Sequence, residues 1–389
     1  MQKLTVRAYA KLNLFLDITG RRPDGYHELK TVMQSIGLCD ELEFSLSEGT
    51  GIELLCNRED VPLNEDNLIH KGIMAVLHYA GFQPGCRITV KLTKRIPSGA
   101  GMGGGSADCA AAIIAINRLF NLGMSTEELC TAAKMCGADV PFCVTGGTAL
   151  CEGIGEKMTP LPEPEGLLFA VYKPFESIST PEAYRLFDTK GKPAAGDYEG
   201  FAAALKNGSP ERIGQALYNA FTAADEPDYI RRIKTLLKKG GAYGAEMTGS
   251  GSAVFGVFRA DDRTAAELAL GGIAIGGVAE VCRPVPHGVE IAEPENTPDT
   301  PDDWRLLNDT SALRGRYLDP ASTDDMRSHL PDIKYCALCL DRVSDEPEHS
   351  RRIWYVSPER DCAVCEKCFG DLRETLDLKH TDGYDTEWA

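Results

Sequence analysis

The chain has 389 residues, of which 43% are hydrophobic, and its formal net charge is −17 at pH 7. This length exceeds one average domain, so the sequence predicts two or three domains with ample apolar residues for their cores. The acidic balance argues against nucleic acid or an anionic membrane as the main partner, because both repel a negatively charged surface. The sequence contains no apolar run of about 18 residues and begins without a signal-peptide pattern, so we expect a soluble cytoplasmic protein.

An alternating segment opens the chain. Apolar residues recur at every second position from Leu4 to Ile18, which predicts a long, half-buried strand. Lys11 and Asn13 share the opposite face of this strand. Polar residues at such positions form either a solvated face or part of a site, and the pattern alone leaves both interpretations open.

A Pro-Asp-Gly turn follows within residues 22–27 and leads into Tyr26 and His27. An aromatic ring beside an imidazole is suited to stack on a flat ligand and hydrogen-bond to it. The alternative is a loop closed by a packed tyrosine. Strands are then predicted at 31–38, 41–46 and 52–56, before a helix from Asn67 to about Ala80.

The segment richest in glycine lies between a predicted strand at 86–96 and a predicted helix at 110–119. Glycines let backbone N–H groups approach a ligand, and a helix N-terminus adds unpaired N–H groups and partial positive charge. This combination predicts a phosphate-binding loop, although glycines also serve tight turns without any ligand. The loop comprises Pro97, Ser98, Gly99, Ala100, Gly101, Met102, Gly103, Gly104, Gly105, Ser106, Ala107 and Asp108, with the Ser106 hydroxyl suited to a phosphate or its metal.

A single acid, Asp139, lies among apolar residues in segment 137–142. Because an unpaired buried carboxylate is unfavourable, Asp139 either pairs with a cation, for which Lys11 is the candidate, or caps the turn before Pro141. A second glycine segment at 247–256 forms either a hairpin turn or a close approach to the phosphate loop. Further strands are predicted at 148–151, 167–172, 253–258 and 278–283, and helices from 126, from 180, at 211–220 and at 229–238.

Four segments occur in a characteristic order, namely 10–14, 97–108, 137–141 and 248–252. This ordered set resembles the GHMP superfamily of small-molecule kinases, which includes galactokinase, homoserine kinase and mevalonate kinase. Segment 22–27 narrows the resemblance to the 4-diphosphocytidyl-2-C-methyl-D-erythritol kinases, over residues 1 to about 288.

The resemblance implies an α+β fold with an N-terminal ATP-binding domain at 1–155 and a C-terminal, ferredoxin-like substrate domain at 156–290. It implies ATP-dependent phosphorylation of the 2-hydroxyl of 4-diphosphocytidyl-2-C-methyl-D-erythritol, in non-mevalonate isoprenoid precursor biosynthesis. Lys11 and Asp139 match the catalytic pair of the family, and the glycine loop matches its ATP phosphate loop, where Mg²⁺ bridges phosphate oxygens. The competing interpretations are a sister kinase for another small alcohol and a catalytically silent nucleotide sensor.

The resemblance also assigns the cytidine end of the substrate. Tyr26 and His27 match the pair that recognises cytidine, and Tyr184 falls where the family places a second aromatic ring. A cytosine is therefore expected to stack between the two tyrosines while His27 reads its polar edge, and Asn13 is assigned to the substrate as well. Segment 219–222 departs from the more acidic pattern of the family, so no catalytic role is assigned to it.

The C-terminal region carries a separate signal. Residues 291–333 predict an acidic, flexible linker, and 334–389 predict a small module with a strand at 352–356. The pairs Cys336/Cys339 and Cys365/Cys368 predict a tetrahedral Zn²⁺ site in an arrangement that resembles a treble-clef finger. Cys362 is an alternative ligand, and metal-free reactive thiols are the alternative interpretation. We expect this module to dock a protein partner rather than nucleic acid.

Overall fold

The computed structural model describes residues 3–191, 193–273 and 275–292, together with the backbone of two short strands at 353–357 and 362–365. The chain divides into two compact units, one of residues 1–270 and 277–298, the other of residues 271–276 and 299–389. In the described part of the chain, no helix is long and apolar enough to cross a membrane.

The strands, in chain order, are β1 (Lys3–Arg21), β2 (His27–Ser47), β3 (Ile52–Cys56), β4 (Arg87–Thr93), β5 (Thr148–Gly153), β6 (Lys157–Pro160), β7 (Leu167–Pro174), β8 (Tyr218–Asn219), β9 (Gly244–Met247), β10 (Val254–Arg259), β11 (Gly277–Cys282), β12 (Val289–Ala292), β13 (Ile353–Ser357) and β14 (Cys362–Cys365). The helices are α1 (Leu68–Tyr79), α2 (Gly104–Leu119), α3 (Thr126–Lys134), α4 (Val140–Thr145), α5 (Thr180–Lys190), α6 (Tyr198–Asn207), α7 (Pro210–Gln215), α8 (Ala220–Ala224), α9 (Asp228–Lys239) and α10 (Arg263–Gly271).

The first sheet of the larger unit is built on a long antiparallel pair, β1 with β2, in the order β12-β1-β2-β4-β3. The predicted strand at the start of the chain is confirmed, but it is not half-buried. Its polar positions Lys11 and Asn13 are also buried, because the glycine loop and Thr248 cover them. The interpretation of these two residues as a solvated face is therefore wrong.

The strands predicted at 31–38 and 41–46 form the single strand β2. Asp40, which lies between the two predicted strands, is fully buried, and its carboxylate accepts the backbone N–H groups of Arg95 and Ile96. A buried acid with such partners does not interrupt a strand.

The helix after the glycine loop begins earlier than predicted. Gly103 has φ +70° and turns the chain directly into α2 at Gly104, six residues before the predicted start at 110. The alanine-rich body of α2 is buried against α1 and β1. The loop is therefore continuous with the helix, so the helix N-terminus lies within the glycine segment.

The second sheet of this unit is antiparallel, in the order β11-β7-β10-β9. Helices α5 to α9 connect β7 to β9, and α10 connects β10 to β11. This β-α-β-β-α-β arrangement is ferredoxin-like, as the resemblance implied. The boundary at 155 stays a prediction, and β8 and β12, which lie beyond it in sequence, complete the first sheet by pairing with β1.

The helix predicted at 211–220 is wrong in its second half. Helix α7 ends at Gln215, and the short strand β8 follows. Asn219 then caps α8, because its side-chain oxygen accepts the N–H of Phe221 at 2.9 Å. Its amide nitrogen donates to the carbonyls of Met247 and Gly249, so long-range bonds fix this turn.

In the smaller unit, β13 pairs with β14 in an antiparallel hairpin. The strand predicted at 352–356 is thus confirmed, with bounds Ile353–Ser357. The first two residues of the linker predicted at 291–333 lie in β12 and pair with β1, and the rest of it lies outside the described residues.

We expect Phe15→Ala to lower the free energy of unfolding by about 3–5 kcal/mol, as measured by urea denaturation. Phe15 is fully buried, with its ring centroid 5.5–5.7 Å from those of Tyr198, Phe201 and Tyr218. The control is Phe175→Ala, whose ring is 67% exposed and should cost about 0.5 kcal/mol or less. Equal losses in the two variants would contradict this account of the core.

Candidate active site

The larger unit contains a cleft of about 1100 Å³. It brings together most of the residues singled out in the sequence. Its lining includes Lys11, Asn13, Tyr26, His27, Asp139, Tyr184, residues 97–106 and Asp108, whereas Ala107 is buried beneath it.

The glycine loop presents bare backbone to this cleft. Gly103 is the N-cap of α2 and makes no side-chain cap bond, so the first N–H groups of the helix have no side-chain partner there. A Cβ atom at Gly103 would lie 3.1 Å from Lys11 Cγ, and one at Gly104 would lie 3.1 Å from Lys94 Nζ. The loop therefore has the open N–H groups and the helix dipole of an anion cradle.

The second glycine segment packs directly on the first. A Cβ atom at Gly101 would lie 2.1 Å from the carbonyl oxygen of Thr248, and the N–H of Ala253 donates to the carbonyl of Ala100 at 3.1 Å. The same segment is the turn between β9 and β10. Both interpretations of this segment are correct, because the hairpin turn is what approaches the phosphate loop.

Lys11 and Asp139 meet at the floor of the cleft. Lys11 Nζ donates to Asn13 Oδ1 at 2.7 Å and lies 3.5 Å from Asp139 Oδ2. The Lys11 side chain is 5% exposed, whereas that of Asp139 is 34% exposed and open to a ligand. Asp139 occupies the N-cap position of α4 without any side-chain cap bond, so its carboxylate does not serve the turn before Pro141.

Asn13 holds this arrangement together. Its Nδ2 donates to Thr31 Oγ1 at 2.9 Å, while its backbone N–H donates to Thr248 Oγ1 at 3.0 Å. With Lys11 bonded to its Oδ1, the Asn13 amide is largely occupied by the protein itself. Its observed contacts are those of a residue that orients the lysine.

The other end of the cleft is aromatic. The His27 ring stacks on Tyr184 with centroids 4.5 Å apart, and His27 Nε2 lies 2.8 Å from Asp188 Oδ1. Phe221 meets the Tyr184 ring edge-on at 5.0 Å, and Tyr26 is 61% exposed. Burial raises the pKa of Tyr184 to about 12, so its hydroxyl stays protonated at neutral pH.

Asp188 and Phe221 also line the cleft, and neither was predicted from the sequence. Asp188 lies four residues after Tyr184 on α5, and that spacing places the two on one helix face, which was an available signal. Phe221 lies in the segment to which no role was assigned, and only the fold brings it to the cleft.

Among the described residues, no group of three or more His, Cys, Asp or Glu side chains is arranged to hold a metal ion. The predicted zinc ligands Cys336, Cys339 and Cys368 lie outside the described residues. Cys365, and the alternative ligand Cys362, lie on β14, of which only the backbone is described.

Family models and curated relatives both match this chain. The GHMP kinases N terminal domain matches residues 67–147, and the GHMP kinases C terminal domain matches residues 201–273. A 4-diphosphocytidyl-2-C-methyl-D-erythritol kinase from Desulfitobacterium hafniense (strain Y51) is 44% identical over 259 residues, 66% of this chain and 87% of that protein. One from Acaryochloris marina is 39% identical over 285 residues, 69% of this chain and 90% of the relative.

Two solved kinase structures also match the fold of this chain. The crystal structure of a 4-(cytidine 5'-diphospho)-2C-methyl-D-erythritol kinase matches with a TM-score of 0.59 and 31% identity, over 72% of this chain and 98% of that one. A homoserine kinase from Cytophaga hutchinsonii matches with a TM-score of 0.60 and 20% identity, over 75% and 98% of the two chains, which shows a shared fold.

We expect Gly101→Ala to be more destabilising than Gly123→Ala in urea unfolding. The two glycines have similar φ values, +73° and +67°, so both variants carry left-handed strain of about 1–3 kcal/mol. Only Gly101 would also press a Cβ atom onto Thr248, which adds about 1–3 kcal/mol, whereas Gly123 faces open space. Equal losses would show that the packing of the two glycine segments contributes nothing.

Proposed function

The chain belongs to the 4-diphosphocytidyl-2-C-methyl-D-erythritol kinases of the GHMP kinase family, and on this premise we propose that it uses ATP to phosphorylate the 2-hydroxyl of that substrate. The observation that carries the proposal is the Lys11–Asp139 pair, which lies in the same cleft as a glycine-lined helix N-terminus and a cluster of aromatic rings. In this proposal the general base shares one cleft with a phosphate cradle and a site for a flat base.

The nucleotide is proposed to bind at residues 97–108. The uncapped N-terminus of α2 and the absence of side chains at Gly103 and Gly104 fit a chain of phosphates. Ser106, in the first turn of the helix, adds a hydroxyl that lines the cleft. Mg²⁺, when bound with ATP, neutralises phosphate charge, and it needs few protein ligands because phosphate oxygens and water supply most of its coordination.

Asp139 is proposed as the general base. Its carboxylate is open to the cleft and accepts the proton of the attacking hydroxyl. Lys11, held by Asn13 at 2.7 Å, supplies positive charge where negative charge develops during transfer. Phosphoryl transfer depends mainly on such positioning and charge stabilisation, so two side chains and a cradle are sufficient protein machinery.

The cytidine end is proposed to involve Tyr26, His27 and Tyr184. Tyr26 offers an exposed ring, whereas one face of Tyr184 is covered by His27. A cytosine can lie between the two tyrosines on that face only if the imidazole leaves the Tyr184 ring. Asp188, bonded to His27, is then the group that sets where the imidazole goes.

The direct test is ADP release from Mg-ATP by the full chain on addition of 4-diphosphocytidyl-2-C-methyl-D-erythritol. Homoserine and mevalonate serve as comparison acceptors. Release with the cytidine substrate alone supports the proposal, and release with another acceptor supports the sister-kinase interpretation. Bound ATP without turnover on any acceptor would favour the silent sensor, against which the retained Lys11–Asp139 pair argues.

We expect Asp139→Asn to lower kcat by about 10²–10⁴, the range for a lost general base. ATP affinity should change far less, because Asp139 faces the attacking hydroxyl rather than the phosphate cradle. Steady-state kinetics and calorimetric titration with ATP measure the two effects. Asp228→Asn, at a side chain that is 95% exposed, is the control. Turnover of Asp139→Asn close to that of the control would exclude Asp139 as the base.

We also propose, from residue spacing, that Cys336, Cys339, Cys365 and Cys368 bind one Zn²⁺ ion. The hairpin of β13 and β14 follows the first cysteine pair and ends at Cys365, the first cysteine of the second pair, which is consistent with the treble-clef resemblance. A protein partner for this module is part of the same proposal.

Elemental analysis of the purified full chain should give about one zinc per chain, and the double variant Cys336→Ser/Cys339→Ser should lose it. Cys86→Ser, at a free cysteine of the larger unit, is the control and should keep the metal. Retention of zinc in the double variant would refute the ligand assignment.

A further inference from the structure

A second buried lysine lies beneath the phosphate loop. Lys94 Nζ is 2.5 Å from Asp40 Oδ2 and 2.8 Å from Asp108 Oδ2, and all three side chains are at most 6% exposed. We call these three residues the Lys94 cluster. Lys94 and Asp108 line the cleft, so the cluster forms part of the wall of the nucleotide site.

The two carboxyl groups of the cluster are not equivalent. The second oxygen of Asp40 accepts the backbone N–H groups of Arg95 at 2.5 Å and Ile96 at 2.8 Å. The second oxygen of Asp108, Oδ1, is buried and has no hydrogen-bond partner among the described residues. The surroundings of Asp40 thus stabilise a negative charge, whereas those of Asp108 do so on one oxygen only.

The charge balance of the cluster also indicates that only one of its two carboxyl groups is ionised. Two ionised carboxylates around one ammonium would leave a net negative charge in a buried site, which is unfavourable. When two carboxyl groups share such a site, one of them retains a proton. Burial and the neighbouring Asp40 raise the pKa of Asp108 well above its usual value. Burial lowers the pKa of Lys94, but the charges of Asp108 and Asp40 outweigh it and raise that pKa overall.

Two thiols also interact with Asp108, and neither adds charge. Burial of Cys143 raises the pKa of its thiol, and a hydrogen bond to Cys136 raises that of Cys109. Arg58 interacts with Asp40, which further favours the ionised form of that acid. The direct ion pairs beneath the loop are those of Lys94 with Asp40 and Asp108.

Because the Lys94 cluster lies next to the N-terminus of α2, the charge on Asp108 affects whether phosphates can bind there. Gly104, the first residue of α2, lies so close to Lys94 that a Cβ atom there would be 3.1 Å from Nζ. An ionised Asp108 in the second turn of that helix would repel the phosphates that the helix N-terminus attracts. A protonated Asp108 would hold the helix to Lys94 without that repulsion.

We propose that the Lys94 cluster positions the phosphate loop for its nucleotide, with Asp40 as the ionised partner of Lys94 and Asp108 as a carboxylic acid that keeps its proton. Asp40 fixes the backbone that enters the loop, and Asp108 fixes the helix that leaves it. The ligand class, a nucleoside triphosphate, rests on the proposed function. The three side chains act through the loop and are positioning residues.

The test compares two matched variants of the full chain, Asp40→Asn and Asp108→Asn, by calorimetric titration with ATP. Each replaces one carboxyl oxygen of the same cluster with an amide nitrogen. Both oxygens of Asp40 accept hydrogen bonds, so in Asp40→Asn the amide nitrogen must face either Lys94 or the N–H groups of Arg95 and Ile96. In Asp108→Asn the nitrogen can instead take the place of Oδ1, which has no hydrogen-bond partner among the described residues. The Kd for ATP should therefore be about tenfold or more higher in Asp40→Asn than in Asp108→Asn. Equal losses, or a larger loss in Asp108→Asn, would overturn the proposal.

Infrared spectroscopy keeps the proposal testable if Asp40→Asn fails to fold. At neutral pH the wild-type protein should show the carbonyl band of a protonated carboxylic acid, and this band should be missing from Asp108→Asn. Absence of the band from the wild-type protein, or its persistence in the variant, would refute the assignment. Neither ATP affinity nor this band depends on the phosphoryl acceptor, so failure of the turnover assay would count against the proposed function alone.

Discussion

The contact between two glycine-bearing backbone segments over β1 is the constraint on which the rest of the site depends. Gly101 leaves no room for a side chain against the Thr248 carbonyl, and the Thr248 hydroxyl accepts the N–H of Asn13. The glycine loop before α2 and the β9–β10 hairpin of the second sheet are therefore both fixed to β1. Because Lys11 lies on that strand, its distance to the loop is set by backbone packing rather than by flexible side chains.

Lys11 and Lys94 both line the cleft and both have carboxylate partners, but those partners differ in how far they are buried. The acid beside Lys11, Asp139, is 34% exposed and lies 3.5 Å from the ammonium, so its oxygens are open to a ligand. The acids beside Lys94 are sealed from solvent and closer to the ammonium, so they brace the structure. The same residue types thus form an accessible pair, Lys11 and Asp139, and a buried supporting cluster around Lys94.

The sequence identified site residues where a charged side chain interrupts a local apolar pattern. Lys11 stood out as a cation in an apolar strand, and Asp139 as an acid in apolar company, and the fold brings the two together. It was uninformative where partners are distant in the chain. The two strands predicted around Asp40 are one strand, in which the bonds of this acid reach 55 residues along the chain, and Asp188 meets an imidazole 161 residues earlier. The helix predicted at 211–220 failed in its second half for the same reason, since the Asn219 amide bonds carbonyls about 30 residues on. Periodicity reports which face is apolar, and it carries no information about such long-range bonds.

On the proposed function, binding of a cytosine at the aromatic end of the cleft exchanges one stacking contact for another. The Tyr184 ring has a stacked partner, His27, and that imidazole has a hydrogen-bond partner, Asp188. A cytosine that took the place of His27 would gain one stacking contact while the protein gave up another of similar strength, about 0.5–1.5 kcal/mol. Stacking on Tyr184 would then contribute little net affinity. Discrimination for cytosine on this proposal would come from the hydrogen bonds at the edge of the base and from the Tyr26 ring, which is 61% exposed.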